Sequence, residues 1–180
     1  TLMHWVDVNS YFLQALNSLF LAVTAAIIAI CTVFLWLYSK PANTHRNQFL
    51  KTVVYLPLMV PQISFLFGLQ IGLSWLGIDG SWPALVFIHT VFVIPYAWLV
   101  LAPAVNRMEW RYDHVAGSLG FGPLQRFYRI HLPLLAFSIA NAFFISFAVS
   151  IALYLPTIFV SGGRISTITV EAVSLAASGI

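Results

Sequence analysis

A chain of 180 residues with 61% hydrophobic and only 7% charged side chains cannot cover a water-facing surface, since soluble domains carry roughly 25% charged residues. Its net charge of +3 does not point to nucleic acid, because the eight Lys and Arg are confined to short breaks between apolar stretches. The lone Cys31 allows no internal disulfide, and His4, His45, His89, His114 and His131 are too scattered to hold a metal.

The first long apolar stretch covers residues 11–38 and contains no charge. As a helix it would be about 42 Å long against a hydrocarbon core of about 30 Å, so it is expected to tilt or to project from the membrane. Within it Ala22, Ala25, Ala26 and Ala29 make small-xxx-small pairs that allow close helix packing. Further spans are expected over residues 53–76, 84–105 and 132–155, each long enough to cross. None shows the alternating ten-residue pattern of a barrel strand. Pro57 and Pro61 lie in the second span and Pro95 in the third, where the freed carbonyls must find other partners. Gln62, Gln70, His89 and Asn141 are the polar residues inside the spans. Each is a candidate for lining a path or for bonding a neighbouring helix.

The connections set the orientation. Lys40, Arg46 and Lys51 fall between the first two spans, and Arg107, Arg111, Arg126 and Arg129 between the last two. The loop at 77–83 holds no basic residue, and only Arg164 lies on its side. The positive-inside bias therefore places both basic loops in the cytoplasm. It puts residues 156–180 outside, with a short helix over 165–177. The outside N-terminal end and the Ala-rich run at the other end are what a stretch flanked by further spans would show.

The loop at 106–130 is too long for a simple connector. Residues 113–119 have helical spacing, with Val115, Ala116 and Leu119 on one face. Gly120 and Gly122 offer positive φ for a turn, and Pro123 suits the first position of a second short helix. On that helix Leu124, Phe127 and Tyr128 share a face, and Leu132-Pro133 is expected to cap the start of the fourth span. The prediction is a helix-turn-helix elbow on the cytoplasmic surface.

This loop resembles the EAA loop of binding-protein-dependent ABC importer permeases of the type I fold. That pattern is Glu-Ala-Ala, three residues, Gly, nine residues, then Ile-x-Leu-Pro. Here His114-Val115-Ala116 and Gly117-Ser118-Leu119 precede Gly120, and Ile130-His131-Leu132-Pro133 follows after nine residues. His114 and Val115 depart from the first two letters, with Asp113 one position earlier. Leu16-Asn17-Ser18-Leu19 and Leu56-Pro57-Leu58-Met59-Val60-Pro61 also look like the permease core. Gly162-Gly163-Arg164 and Thr167-Ile168-Thr169-Val170-Glu171-Ala172 are similar to the thiamine, ferric-iron and YnjC-like permeases.

The resemblance implies an all-α, multi-span permease of the bacterial inner membrane. Its elbow would dock on a separate ATPase subunit, through Asp113, His114, Val115, Ala116, Gly120, Gly122, Leu124, Arg126, Ile130, Leu132 and Pro133. Further implied partners are a second permease half or subunit, an outer substrate-binding protein and the bilayer. Arg126 and Arg129 have acidic ATPase groups or anionic lipid as candidate partners. The chain has no Gly-rich loop ending in Lys for ATP, and neither catalysis nor a bound cofactor is expected of it. An ion-coupled carrier would need carboxylates within its spans, and a membrane scaffold would have no use for this elbow.

Overall fold

A computed structural model describes residues 2–38, 44–108 and 111–178, with backbone alone at 2–10, 44–50 and 113. Among the described residues the chain is helical throughout, without strands. Helix α1 spans Leu2–Tyr38, α2 Thr44–Met59, α3 Gln62–Trp75 and α4 Trp82–Arg107. Helices α5 (Arg111–Ser118) and α6 (Pro123–Arg126) form the loop that follows. A π-turn, Phe127–His131, then leads into α7 (Leu132–Ala152), α8 (Tyr154–Ser161) and α9 (Ile168–Ser178).

Among the described residues three helical stretches are long and apolar enough to cross a membrane: Tyr11–Tyr38, Trp82–Arg107 and Pro123–Ala152. They pack around one another through α1, α4 and α7. Ala22, Ala25, Ala26 and Ala29 are fully buried, so α1 approaches its neighbours closely. Lipid offers no hydrophobic drive for that contact, and close van der Waals packing of small residues supplies it instead. Large apolar residues elsewhere face outward, among them Phe12, Leu35, Phe137 and Phe144.

The expected second span is not a single straight helix. Its two parts, Lys51–Met59 and Gln62–Trp75, are bent by 113° relative to one another. The break falls at Pro61, which has no N–H to donate and is extended at φ −53° and ψ 125°. Its ring would also clash with the carbonyl four residues earlier, and Val60 before it is steered away from helix. Pro57 and Pro95, by contrast, remain inside α2 and α4.

Two core clusters show that the bent pair still progresses across the bundle. Ala29, Val33 and Leu37 of α1 pack with Ala97, Trp98 and Leu101 of α4 at the basic end, joined there by Val54 and Tyr55 of α2. Leu21 of α1 packs with Ala84, Leu85 and Ile88 of α4 at the opposite end, where Leu66 and Leu73 of α3 join. Thus α2 serves the inner cluster and α3 the outer one.

The expected boundary before the fourth span is also absent. Helix α6, the π-turn and α7 run on without interruption, so Leu132-Pro133 lies within a helix and caps nothing. The π-turn gives a reason. Pro133 cannot bond the carbonyl of Arg129, and the widened turn instead lets Leu132 N–H reach the carbonyl of Phe127.

Orientation can be tested by thiol labelling in a Cys31→Ser background. A cysteine at exposed Asp79 is expected to react with an impermeant reagent in intact cells, whereas one at exposed Ser118 stays shielded. A cysteine at Asn43, which lies outside the described residues, is also expected to be shielded. Labelling at position 118 from outside would reverse the assignment.

Candidate functional site

The elbow is built by local chemistry. Helix α5 ends in a Schellman motif: Phe121 N–H donates to Ala116 O at 3.0 Å, and Gly120 N–H to Gly117 O at 3.0 Å. Gly120, at φ +81°, supplies the left-handed residue that the motif requires. Gly122 does not share that role. Its φ is −66°, and it acts as the residue before α6, its N–H donating to Gln125 Oε1 at 3.3 Å. Pro123 opens α6 as expected.

Both elbow arginines engage the turn. Arg126 Nε donates to Phe121 O at 3.0 Å, and its guanidinium lies over Gly117. Arg129 sits 5.7 Å from the centre of the Phe121 ring, within cation–π range. They staple the two arms of the elbow together, an internal task beside the external partners expected for them.

The expected apolar faces divide. Val115, Leu119 and Leu124 are 57%, 70% and 70% exposed, and Tyr112 and Tyr128 are exposed with them. Ala116 instead turns inward at 3% exposure, and Phe127 is half-buried. His114 is exposed, Ile130 and Leu132 are half-buried, and Pro133 is exposed. Asp113 lies on α5, with its side chain outside the described residues.

The root of the elbow holds a cluster that sequence reasoning missed. His131 is 2% exposed, and its Nδ1 shares a hydrogen bond of 2.8 Å with Tyr38 Oη at the end of α1. Phe127 meets both Phe34 and Tyr38 edge-on, at 5.9 and 5.5 Å between ring centres. His131 fills the variable place in Ile130-His131-Leu132-Pro133, which drew no notice to it.

The four intramembrane polar residues do not share one cavity. Asn141 is half-buried and lines a cleft of about 590 Å³ between α4 and α7, with Val100, Pro103, Arg107 and Ser138. Gln62, Gln70 and His89 do not line it. Gln62 is half-buried in the first turn of α3. Gln70 is half-buried too, and its side-chain oxygen is enclosed without a hydrogen-bond partner. His89 is 1% exposed and bonded at both ring nitrogens, to Ser150 Oγ at 2.9 Å and Thr157 Oγ1 at 3.0 Å. It joins α4 to α7 and α8, the helix-bonding alternative.

At the outer end, segments far apart in sequence meet. Ile168 N–H at the start of α9 donates to Ser18 Oγ at 2.8 Å, and Asn17 Nδ2 to Ser166 O at 3.1 Å. Gln14 Nε2 reaches Glu171 Oε2 at 3.1 Å. The loop before α4 is anchored there as well: Gly80 N–H donates to Val160 O at 3.0 Å. A Cβ on Gly80 would fall 2.7 Å from Arg164 Nη1 and make that flexible side chain shift, while the backbone there, at φ +68°, itself favours glycine.

Known proteins are similar to this chain in sequence. Residues 42–175 match the family described as binding-protein-dependent transport system inner membrane component. The chain is 35% identical over 164 residues to the inner membrane ABC transporter permease protein YnjC of Escherichia coli (strain K12), which covers 91% of this chain and 31% of that relative. It is 34% identical over 83 residues to a spermidine/putrescine transport system permease protein PotC homolog of Mycoplasma genitalium, covering 46% of this chain and 29% of the relative. A PotC homolog of Mycoplasma pneumoniae is 28% identical over 162 residues, with 84% and 55% covered. The chain therefore spans less than a third of the first two relatives. With the family's pattern over most of its length and three apolar helices able to span, this chain is a multi-pass inner-membrane protein and belongs to the binding-protein-dependent transport system inner membrane component family.

Proposed function

We propose that this chain is part of the permease of an ATP-driven importer, and that its elbow is the contact for a separate nucleotide-binding subunit. One observation carries the reading. Leu119 and Leu124 stand 70% exposed on either side of the Gly120 turn, at the basic end of the bundle. Apolar side chains held out on a stiff turn beyond the lipid need a protein partner to cover them. Residues 11–38, 51–76, 82–107 and 123–152 contain no Asp or Glu, which speaks against an ion-coupled carrier. In this reading hydrolysis takes place on the other subunit, and this chain needs no cofactor of its own. A second permease half completes the path, and an outer binding protein delivers the substrate.

The test uses the full-length protein with Cys31→Ser and a single cysteine at Leu119 or Leu124. A short bifunctional thiol reagent is expected to join either cysteine to a co-purifying nucleotide-binding protein, and a cysteine at Asp79 is not. Mass spectrometry of the co-purified outer binding protein then identifies the cargo. If no nucleotide-binding protein accompanies the permease and neither elbow cysteine captures one, the reading fails.

A further inference from the structure

An elbow that drives a bundle must be attached to more than the helix that follows it. One attachment here is covalent and stiff, because α6, the π-turn and α7 form one uninterrupted stretch. A second is made in space, between residues 93 apart in the chain. The Tyr38 hydroxyl at the end of α1 bonds the Nδ1 of His131, the last residue of the π-turn. Tyr38 and Phe34 also flank the ring of Phe127, the first residue of the same turn. Both ends of the π-turn are thus held against the tip of α1.

A π-turn inside an α-helix is rare and recurs at functional sites. This one sits where the elbow joins the membrane, and a bond that directional resists both sliding and rotation of the turn against α1. We propose that Tyr38 and His131 are a positioning pair that makes α1 move as one body with the elbow. Movement at the elbow then reaches α1 directly, in addition to its passage along α7. The transmission role rests on the elbow reading above, whereas the one-body attachment stands on the contacts alone.

The experiment places nitroxide labels on Leu35 and Ser118, both exposed, in the full-length Cys31→Ser protein with its ATPase subunit. Distances are read without nucleotide and with Mg-ATP plus orthovanadate. In the wild type the 35–118 distance is expected to be narrow and unchanged by nucleotide, while a 79–118 pair shifts. Tyr38→Phe keeps the ring contacts but loses the hydroxyl, and is expected to broaden the 35–118 distribution about twofold and let it shift with nucleotide. His131→Asn, whose amide occupies the place of Nδ1, is expected to stay close to wild type. A bond that merely added stability would leave the distance constant in all three proteins. A Tyr38→Phe distribution as narrow and unmoved as wild type overturns the proposal. If the wild-type 79–118 pair fails to respond to nucleotide, the elbow's coupling role is what fails, and the Tyr38→Phe width still decides the attachment.

Discussion

Replacing Gly120 by Val is expected to detach the ATPase subunit while leaving every span inserted. The reason is backbone conformation and not crowding, because no heavy atom lies within 4 Å of where a Cβ would stand. At φ +81° a β-branched residue costs on the order of 1–3 kcal/mol, and the turn relieves that strain by leaving the left-handed region. The bonds from Gly120 to Gly117 and from Phe121 to Ala116 then break. Phe121 also carries the carbonyl that holds Arg126 and the ring beneath Arg129, so both staples loosen with it. Leu119 and Leu124 lose their fixed relation, and a contact that depends on both weakens by about tenfold if even 1.4 kcal/mol is lost. Gly120→Asn is the control, since Asn tolerates left-handed backbone and should retain most of the binding. Pull-down of the nucleotide-binding subunit, beside a protease test of membrane insertion, reads the result. Wild-type capture by Gly120→Val would mean that the turn does not hold the contact.

His89→Leu is expected to destabilise the outer half of the bundle. The imidazole bonds Ser150 on α7 and Thr157 on α8, and a leucine can replace neither contact. Thr157 keeps a partner, because its hydroxyl also donates to Leu153 O, so the larger loss falls on Ser150. Interhelical hydrogen bonds in membranes are worth about 0.6–2 kcal/mol each, which puts the combined loss at roughly 1–4 kcal/mol. The melting temperature in detergent should fall by several degrees, and the segment around α8 should become more accessible to protease. Ser150→Ala removes one of the two bonds and should show a smaller fall. A His89→Leu protein with wild-type melting but lost transport would move His89 from packing to the translocation path.

Much of this protein is legible without coordinates, and the reason is that those features obey local rules. Twenty consecutive apolar residues have one stable environment, so lipid-facing helices follow directly from residues 11–38, 84–105 and 132–155. The Lys and Arg distribution orients them. The elbow turn is local as well: a short helix, a glycine separated by three residues from a Val-Ala pair, and a proline soon after specify a left-handed stop and a new start.

What the tertiary structure decided are the pairings. Pro57, Pro61 and Pro95 are chemically alike, yet only Pro61 breaks its helix, where α2 leaves the inner cluster and α3 joins the outer one. The same holds for the aromatic and polar residues. Nothing near His131 distinguishes it from a spacer, and its partner Tyr38 is 93 residues away. His89 could equally line a path until Ser150 and Thr157, 61 and 68 residues on, take both its nitrogens. Helices that are apolar all round carry little record of which face meets which neighbour. Packing of small residues and the pairing of the few polar groups make that choice, and both depend on the assembled bundle.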